Sequence, residues 1–183
     1  MIVLSAGMQK SGTGWYFNLT NDLLVAAGYQ DVRRVRDQYR LHSILERRNC
    51  AIRQLTLLNL GCLAIPHFLG NTFVIKTHRE PTTSLRYFIM SGVIKATYIY
   101  RDPRDAAVSA FEHGQRICGK GQTHSFAKLE TMEKSLLFTK QLLVTWDRWT
   151  QSGLALVVRY ENLLANPLQE VAVHGVSSSR IAS

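Results

Sequence analysis

Residues 2–6, Ile-Val-Leu-Ser-Ala, run straight into Gly7-Met8-Gln9-Lys10-Ser11-Gly12-Thr13-Gly14-Trp15, which in turn opens a helix-like pattern. An apolar strand, a glycine-rich turn and a helix start in that order leave few folds open. The strand belongs inside a parallel sheet, and the helix packs back across it. The N–H groups of residues 11–14 and the positive end of the helix then face a common point where an anion can be held, with Lys10 beside it. Gly7-x-x-x-x-Gly12 has the spacing of a nucleoside-triphosphate loop, but Thr13-Gly14 stand where Lys-Ser/Thr is required. The lysine lies inside the loop instead, and the hydroxyl that ordinarily ligates magnesium is missing, which points to a metal-free anion site. A bare strand-to-helix turn has the same pattern, so other motifs must decide the function.

The rest of the chain keeps alternating. Strands are expected at 2–6, 72–76, 95–100 and 154–159, and helices at 12–27, 103–116 and 125–151, with a short one after Tyr160. An Arg-rich helical region is expected over 31–64. Near-continuous apolar strands separated by helices give an α/β class: a P-loop-type parallel sheet flanked by helices on both faces, with ligands at the carboxyl ends of the strands. Domain organisation reads as one domain over 1–170 and a disordered or aberrant tail over 171–183. The 46% apolar content over 183 residues excludes a disordered chain.

Charge narrows the ligand. With 22 Lys and Arg against 13 Asp and Glu, the net charge of +9 favours an anionic ligand or acceptor. Cys50, Cys62 and Cys118 are odd in number, widely spaced and without metal-ligand spacing, so they read as reduced, buried thiols of a cytoplasmic protein. No apolar stretch is long enough to span a bilayer. The run Arg33, Arg34, Arg36, Arg40, Arg47, Arg48 and Arg53 reads as a solvated helix face; a basic nucleic-acid-binding module is the competing reading, and nucleic acid is not the expected partner.

Two strand ends carry chemistry. Lys76-Thr77-His78 places a cation and a titratable imidazole at the edge of the site, where His78 is suited to take a proton and Lys76 to neutralise developing charge. Glu80 is a rival base that is expected to pair with Arg79 or solvent. Further on, Arg101-Asp102-Pro103-Arg104-Asp105 announces a helix, with Asp102 as N-cap, Pro103 at the first helical position and Asp105 completing a capping box. Arg101 and Ser109 together suit a phosphate.

Lys-Ser-Gly-Thr-x-Trp (10–15), Lys-Thr-His (76–78), Arg-Asp-Pro-Arg-Asp-x-x-Val-Ser (101–109) and Arg-Tyr-Glu-Asn-Leu (159–163) occur here in the order seen in sulfotransferases of the cytosolic type and their bacterial relatives. The resemblance runs from Gly7 to about Pro167. It implies transfer of a sulfuryl group from 3′-phosphoadenosine-5′-phosphosulfate (PAPS), a co-substrate, to a small-molecule hydroxyl or amine acceptor, without metal. By the same resemblance Lys10, Ser11, Gly12, Thr13 and Gly14 meet the 5′-phosphosulfate, although Gly14 replaces a threonine and Gln9 a proline. Trp15 and Tyr160 would contact adenine, Arg101 and Ser109 the 3′-phosphate, Lys76 the sulfuryl group, and His78 would be the general base.

Beyond Asn166-Pro167 the family's C-terminal Arg-Lys-Gly loop and Gly-x-x-Gly-x-Trp-Lys region do not occur, nor does its dimerisation segment, so the resemblance implies a truncated member with impaired transfer. Oligomeric state carries no motif. The enzyme alternative is a P-loop nucleotide kinase, for which Asp102 would be the nearest magnesium ligand. Tyr39, His42, Phe68, Tyr87, Phe88 and Phe111 are candidates for an apolar acceptor wall.

Overall fold

Four of the apolar runs form one sheet. In the computed structural model, which describes residues 1–119 and 125–166, β1 (Ile2–Gly7), β2 (Phe73–Thr77), β3 (Ile94–Tyr100) and β4 (Ala155–Arg159) are all parallel in the order β2-β1-β3-β4. Successive side chains on a strand point to opposite faces, so a strand buried at every position is covered on both. All five residues of β2 and five of the six in β1 are buried. Edge strand β4 is more open, and only Val158 on it is fully buried. The register pairs Ala6 with Thr77 and Gly7 with Ile99, so β1, β2 and β3 end level with one another. Strand order reverses beside β1, and the crevice at that carboxyl edge is where such sheets hold ligands.

Among the described residues seven α-helices accompany the sheet: α1 (Thr13–Ala26), α2 (Val32–Gln38), α3 (Leu57–Phe68), α4 (Thr83–Met90), α5 (Pro103–Cys118), α6 (Met132–Ser152) and α7 (Tyr160–Ala165). Phe17 of α1, Leu60 and Leu63 of α3 and Trp149 of α6 join Ile2, Leu4, Phe73 and Ile75 in one core. Asp31, Thr56, Thr82, Asp102 and Thr131 each cap a helix by accepting a backbone N–H, an arrangement that stabilises each helix by about 1 kcal/mol. Helix α1 differs: its N-cap is Gly12, with no side-chain cap. Its first N–H groups are left facing the crevice.

Several expectations fail locally. Residues 31–64 are not one helical region. The chain turns through left-handed backbone at Arg40 (φ 54°) and Cys50 (φ 45°), and residues 50–52 bond β2 instead, with Ile52 N–H donating to the Lys76 carbonyl at 2.8 Å. Nor is the arginine run wholly solvated: Arg36 is buried, and its guanidinium donates to the Glu46 and Arg47 carbonyls and to Asp37. Those bonds serve backbone carbonyls that a helix would have satisfied internally. The helix expected over 125–151 is split into a 3-10 turn at Ser125–Lys128 and α6, because Thr131 is extended and caps Lys134. All three cysteines are free, but only Cys50 is buried; Cys118 is exposed. The tail expected at 171–183 lies outside the described residues.

Candidate active site

The loop after β1 is shaped by close approaches. Met8 N–H donates to the Ile99 carbonyl at 3.0 Å. A Cβ on Gly7 would stand 2.6 Å from Thr13 Cγ2 and 2.8 Å from the Ile99 carbonyl oxygen, so no side chain fits there. Gly12 is constrained twice over, by its φ of 73° and by Tyr160, whose ring a Cβ would strike, with Cδ2 only 2.7 Å away. Lys10 also has positive φ, 66°. The expected cradle of residues 11–14 is one donor smaller, because Ser11 N–H turns inward to the Met8 carbonyl at 3.3 Å. Thr13 and Gly14 precede the bond that closes the first turn of α1, Tyr16 N–H to the Gly12 carbonyl at 2.9 Å. Their N–H groups are therefore open to an anion.

Of the eleven residues singled out from the sequence, eight line one 380 Å³ cavity: Lys10, Gly12, Thr13, Gly14, His78, Arg101, Ser109 and Tyr160. Gln9 and Phe126 complete the lining, and the Lys10 ammonium lies 5.5 Å from the centre of the Phe126 ring. Ser11, Trp15 and Lys76 stand outside the lining. Ser11 Oγ is buried with no hydrogen-bond partner among the described residues, and so is Arg101 Nε. Leaving such atoms unpaired costs about 1–3 kcal/mol each, which fits donors waiting on an anion. Trp15 is 43% exposed and meets Tyr160 edge-on at 6.3 Å, so it is no core aromatic. Lys76 is 6% exposed, with its Nζ 4.0 Å from the place a Cβ on Gly14 would take. Burial, the largest influence, lowers the ordinary lysine pKa of both Lys10 and Lys76.

His78 is held in one tautomer. Its Nδ1 lies 2.7 Å from the Gly7 carbonyl oxygen, which can only accept, so in the neutral ring Nδ1 carries the proton and Nε2 keeps the lone pair. Burial, and secondarily the Lys76 charge, push its pKa down from 6.5 to about 4. The imidazole is therefore uncharged at neutral pH.

Arg101 lies with its guanidinium carbon 5.0 Å above the Tyr160 ring and one Nη 3.5 Å from Asp105. That contact corrects the expected capping box: Asp105 turns to Arg101, and the Asp102 N–H is taken by Glu161 of α7 at 3.0 Å. Glu161 also accepts from Arg159 at 3.1 Å. It ties the starts of α5 and α7 together and so sets Tyr160 against Gly12. This role was missed in the sequence, because it depends on two strand ends becoming neighbours. Arg104 forms a pair with Asp102 at 2.7 Å on the surface, and that pairing holds the Asp102 carboxyl down at about 2.

Glu80 pairs with Arg148 of α6 rather than with Arg79, and its side chain also meets solvent. It lines a second cavity of 460 Å³ together with Arg53, Gln54, Leu55, Arg79, Thr82 and Thr145, and His78 belongs to both cavities. Walls of the second are bound to one another: Arg79 Nε donates to the Arg53 carbonyl at 2.8 Å, Thr82 Oγ1 to the Leu55 carbonyl at 2.9 Å, and Trp149 Nε1 to the Arg79 carbonyl at 2.9 Å. None of the six residues proposed for an apolar acceptor wall lines either cavity. Phe68 and Tyr87 face solvent, and Tyr39 and Phe88 pack against the core. Among the described residues no three His, Cys, Asp or Glu side chains gather as metal ligands, and no helix is long and apolar enough to cross a membrane.

Solved structures to which this chain is similar include the mouse sulfotransferase SULT7A1 complexed with PAP, at 16% identity over 92% of this chain and 55% of that one, with a TM-score of 0.49. Retinol dehydratase in complex with androsterone and inactive cofactor PAP gives 23% identity over 93% and 57%, with a TM-score of 0.50. Its complex with retinol and PAP gives 23% over 90% and 56%, with a TM-score of 0.49. At these identities the likeness concerns the fold, and the chain spans just over half the length of those proteins. No curated protein matches it. The sulfotransferase domain model matches residues 2–173, nearly the whole chain and all four motifs at the strand ends, and the chain belongs to that family.

Proposed function

We propose that the chain moves a sulfuryl group from PAPS to a hydroxyl or amine acceptor, with residues 1–170 as the working domain. The observation that carries this reading is the position of His78, a neutral imidazole of fixed tautomer in the wall shared by an anion-gripping cavity and a second one. Family membership and the PAP held by retinol dehydratase support the choice of donor. The unpaired Ser11 Oγ and Arg101 Nε suit an anionic ligand.

In this reading Lys10 and the N–H groups at the start of α1 hold the 5′-phosphosulfate, with Ser11 beneath them. Arg101 and Ser109 take the 3′-phosphate, while Trp15 and Tyr160, set at right angles, give the adenine a face and an edge. The acceptor oxygen attacks sulfur in line as the bond from sulfur to the bridging phosphate oxygen breaks. His78 Nε2 receives the acceptor proton, and the products are a sulfate ester and adenosine 3′,5′-bisphosphate. Lys10 and Lys76 stabilise negative charge on the bridging and sulfuryl oxygens, so the work is positioning and electrostatics. An anionic donor beside His78 opposes the effects that depress its pKa, making it a stronger base when the donor is bound.

The kinase reading loses its candidate magnesium ligand, since Asp102 is committed to capping α5 and to Arg104. Incubating the chain with sulfur-labelled PAPS and a panel of hydroxyl and amine acceptors tests the proposal. Label should move to an acceptor with wild-type protein and not with His78→Gln, while both bind adenosine 3′,5′-bisphosphate alike. Equal transfer by the two proteins would remove His78 from the reaction.

A further inference from the structure

The second cavity selects its occupant by charge. Apart from the His78 imidazole its lining has no aromatic ring among the described residues, and its one aliphatic residue, Leu55, is 4% exposed and offers little contact surface. Arg53 and Arg79 contribute two guanidinium groups. The Arg53 charge is answered by Glu46, 2.8 Å from its Nε, and the Glu80 carboxylate by Arg148. Arg79 has no carboxylate partner among the described residues. Its Nε is fixed on the Arg53 carbonyl at 2.8 Å, which orients the two Nη groups as a fork next to His78 in sequence. A planar pair of donors matches a carboxylate or similar oxyanion.

An apolar alcohol in this cavity would displace water from Arg79 without replacing its hydrogen bonds. Thr145 adds a hydroxyl suited to a hydroxylated ligand, while the Thr82 hydroxyl is already engaged with the Leu55 carbonyl and the Leu85 N–H. We infer that the acceptor is a polar, hydroxyl-bearing compound that carries a fixed anion, which Arg79 holds while its hydroxyl meets His78; the assignment of the cavity to an acceptor rests on the sulfuryl-transfer reading.

A glucuronate-containing disaccharide, its neutral methyl ester and androsterone probe this class against an apolar alcohol. Their affinities for the full chain are measured by titration calorimetry, with and without saturating adenosine 3′,5′-bisphosphate. The disaccharide should bind about tenfold or more tightly than its ester, as one charge-assisted contact implies. Arg79→Gln should bring that ratio near one, and Arg79→Lys should keep most of it, with donor-product affinity unchanged in both variants. Equal binding of acid and ester, tighter binding of androsterone, or equal loss in Arg79→Lys and Arg79→Gln would overturn the inference. Absence of donor-product binding with the acid preference intact would instead remove the transfer reading and leave an anion-selective cavity. Donor-product binding without the preference would do the reverse.

Discussion

On one side of His78 the ligand-facing groups are fixed by backbone; on the other they stand at the ends of long side chains. The cavity proposed for the donor is set by the level ends of β1, β2 and β3, by the left-handed turn at Gly12 and by the Tyr160 ring pressed on it. Arg53, Gln54 and Arg79 line the second cavity with side chains from two segments that lie beyond the backbone bonds joining 50–52 to β2. A site made of backbone donors cannot adjust without moving strands, whereas arginine and glutamine side chains can. The difference teaches where each kind of substitution will hurt: charge changes on both sides, main-chain changes chiefly on the side of the glycine-rich loop.

Gly12→Ala should have the largest effect. The left-handed backbone and the collision with Tyr160 together should lower unfolding free energy by about 2–4 kcal/mol, and donor-product affinity should fall with it. Gly14→Ala is the matched control, because the space beside it is open as far as Lys76 Nζ at 4.0 Å. In a helix first turn alanine should be neutral or stabilising by up to about 1 kcal/mol. Chemical denaturation of both variants checks the pair, and equal losses would break the contrast between constrained and open loop positions.

His78 gives the next largest effect, through pH. Its folded pKa of about 4 lies below the unfolded 6.5, so the unfolded chain binds the proton first. Stability is fully present above pH 6.5 and is lost as pH falls toward 4, by up to about 3 kcal/mol. Subtracting the stability profile of His78→Gln from that of wild type should isolate this slope. A flat difference would mean that the imidazole is not desolvated. Donor product should raise the His78 pKa and therefore bind more tightly as pH falls through this window, which an NMR titration of the ring reads directly.

Lys10→Ala and Arg101→Ala should each weaken adenosine 3′,5′-bisphosphate binding by about 10–100-fold, the range of one charge-assisted hydrogen bond. His78→Gln should change it by less than about threefold, since a base acting on the acceptor touches the donor little. Titration calorimetry of the three separates these roles, and comparable losses in all three would erase the division between the cavities. Arg104→Ala should be the smallest, with no resolvable shift in the denaturation midpoint, because its pair with Asp102 is on the surface.

That the residues of the first cavity come together was legible because they sit at fixed spacings from strand ends. A turn of five residues after β1, the residue after β2 and the first residues after β3 and β4 must meet at the carboxyl edge of a parallel sheet. Phe126 and Glu161 were not legible, since each reaches the site through packing between elements distant in sequence. The second cavity was not legible either, for a related reason. Residues 31–64 look helical by composition, and nothing local announces the turns at Arg40 and Cys50 that bring 50–52 onto β2 and carry Arg53 and Leu55 toward His78. Arg36, buried on the Glu46 and Arg47 carbonyls, holds that excursion in place.

The central claim is that the cavity lined by Lys10, Gly12, Arg101 and Tyr160 takes a 3′-phosphorylated adenosine donor. Thermal unfolding of the chain with adenosine 3′,5′-bisphosphate, adenosine 5′-monophosphate, and ATP plus magnesium tests it most directly, because a ligand that binds only the native state raises its stability with concentration. The account predicts the largest rise with the bisphosphate, less with the monophosphate, and loss of that advantage in Arg101→Ala. A rise with ATP and magnesium alone would contradict it.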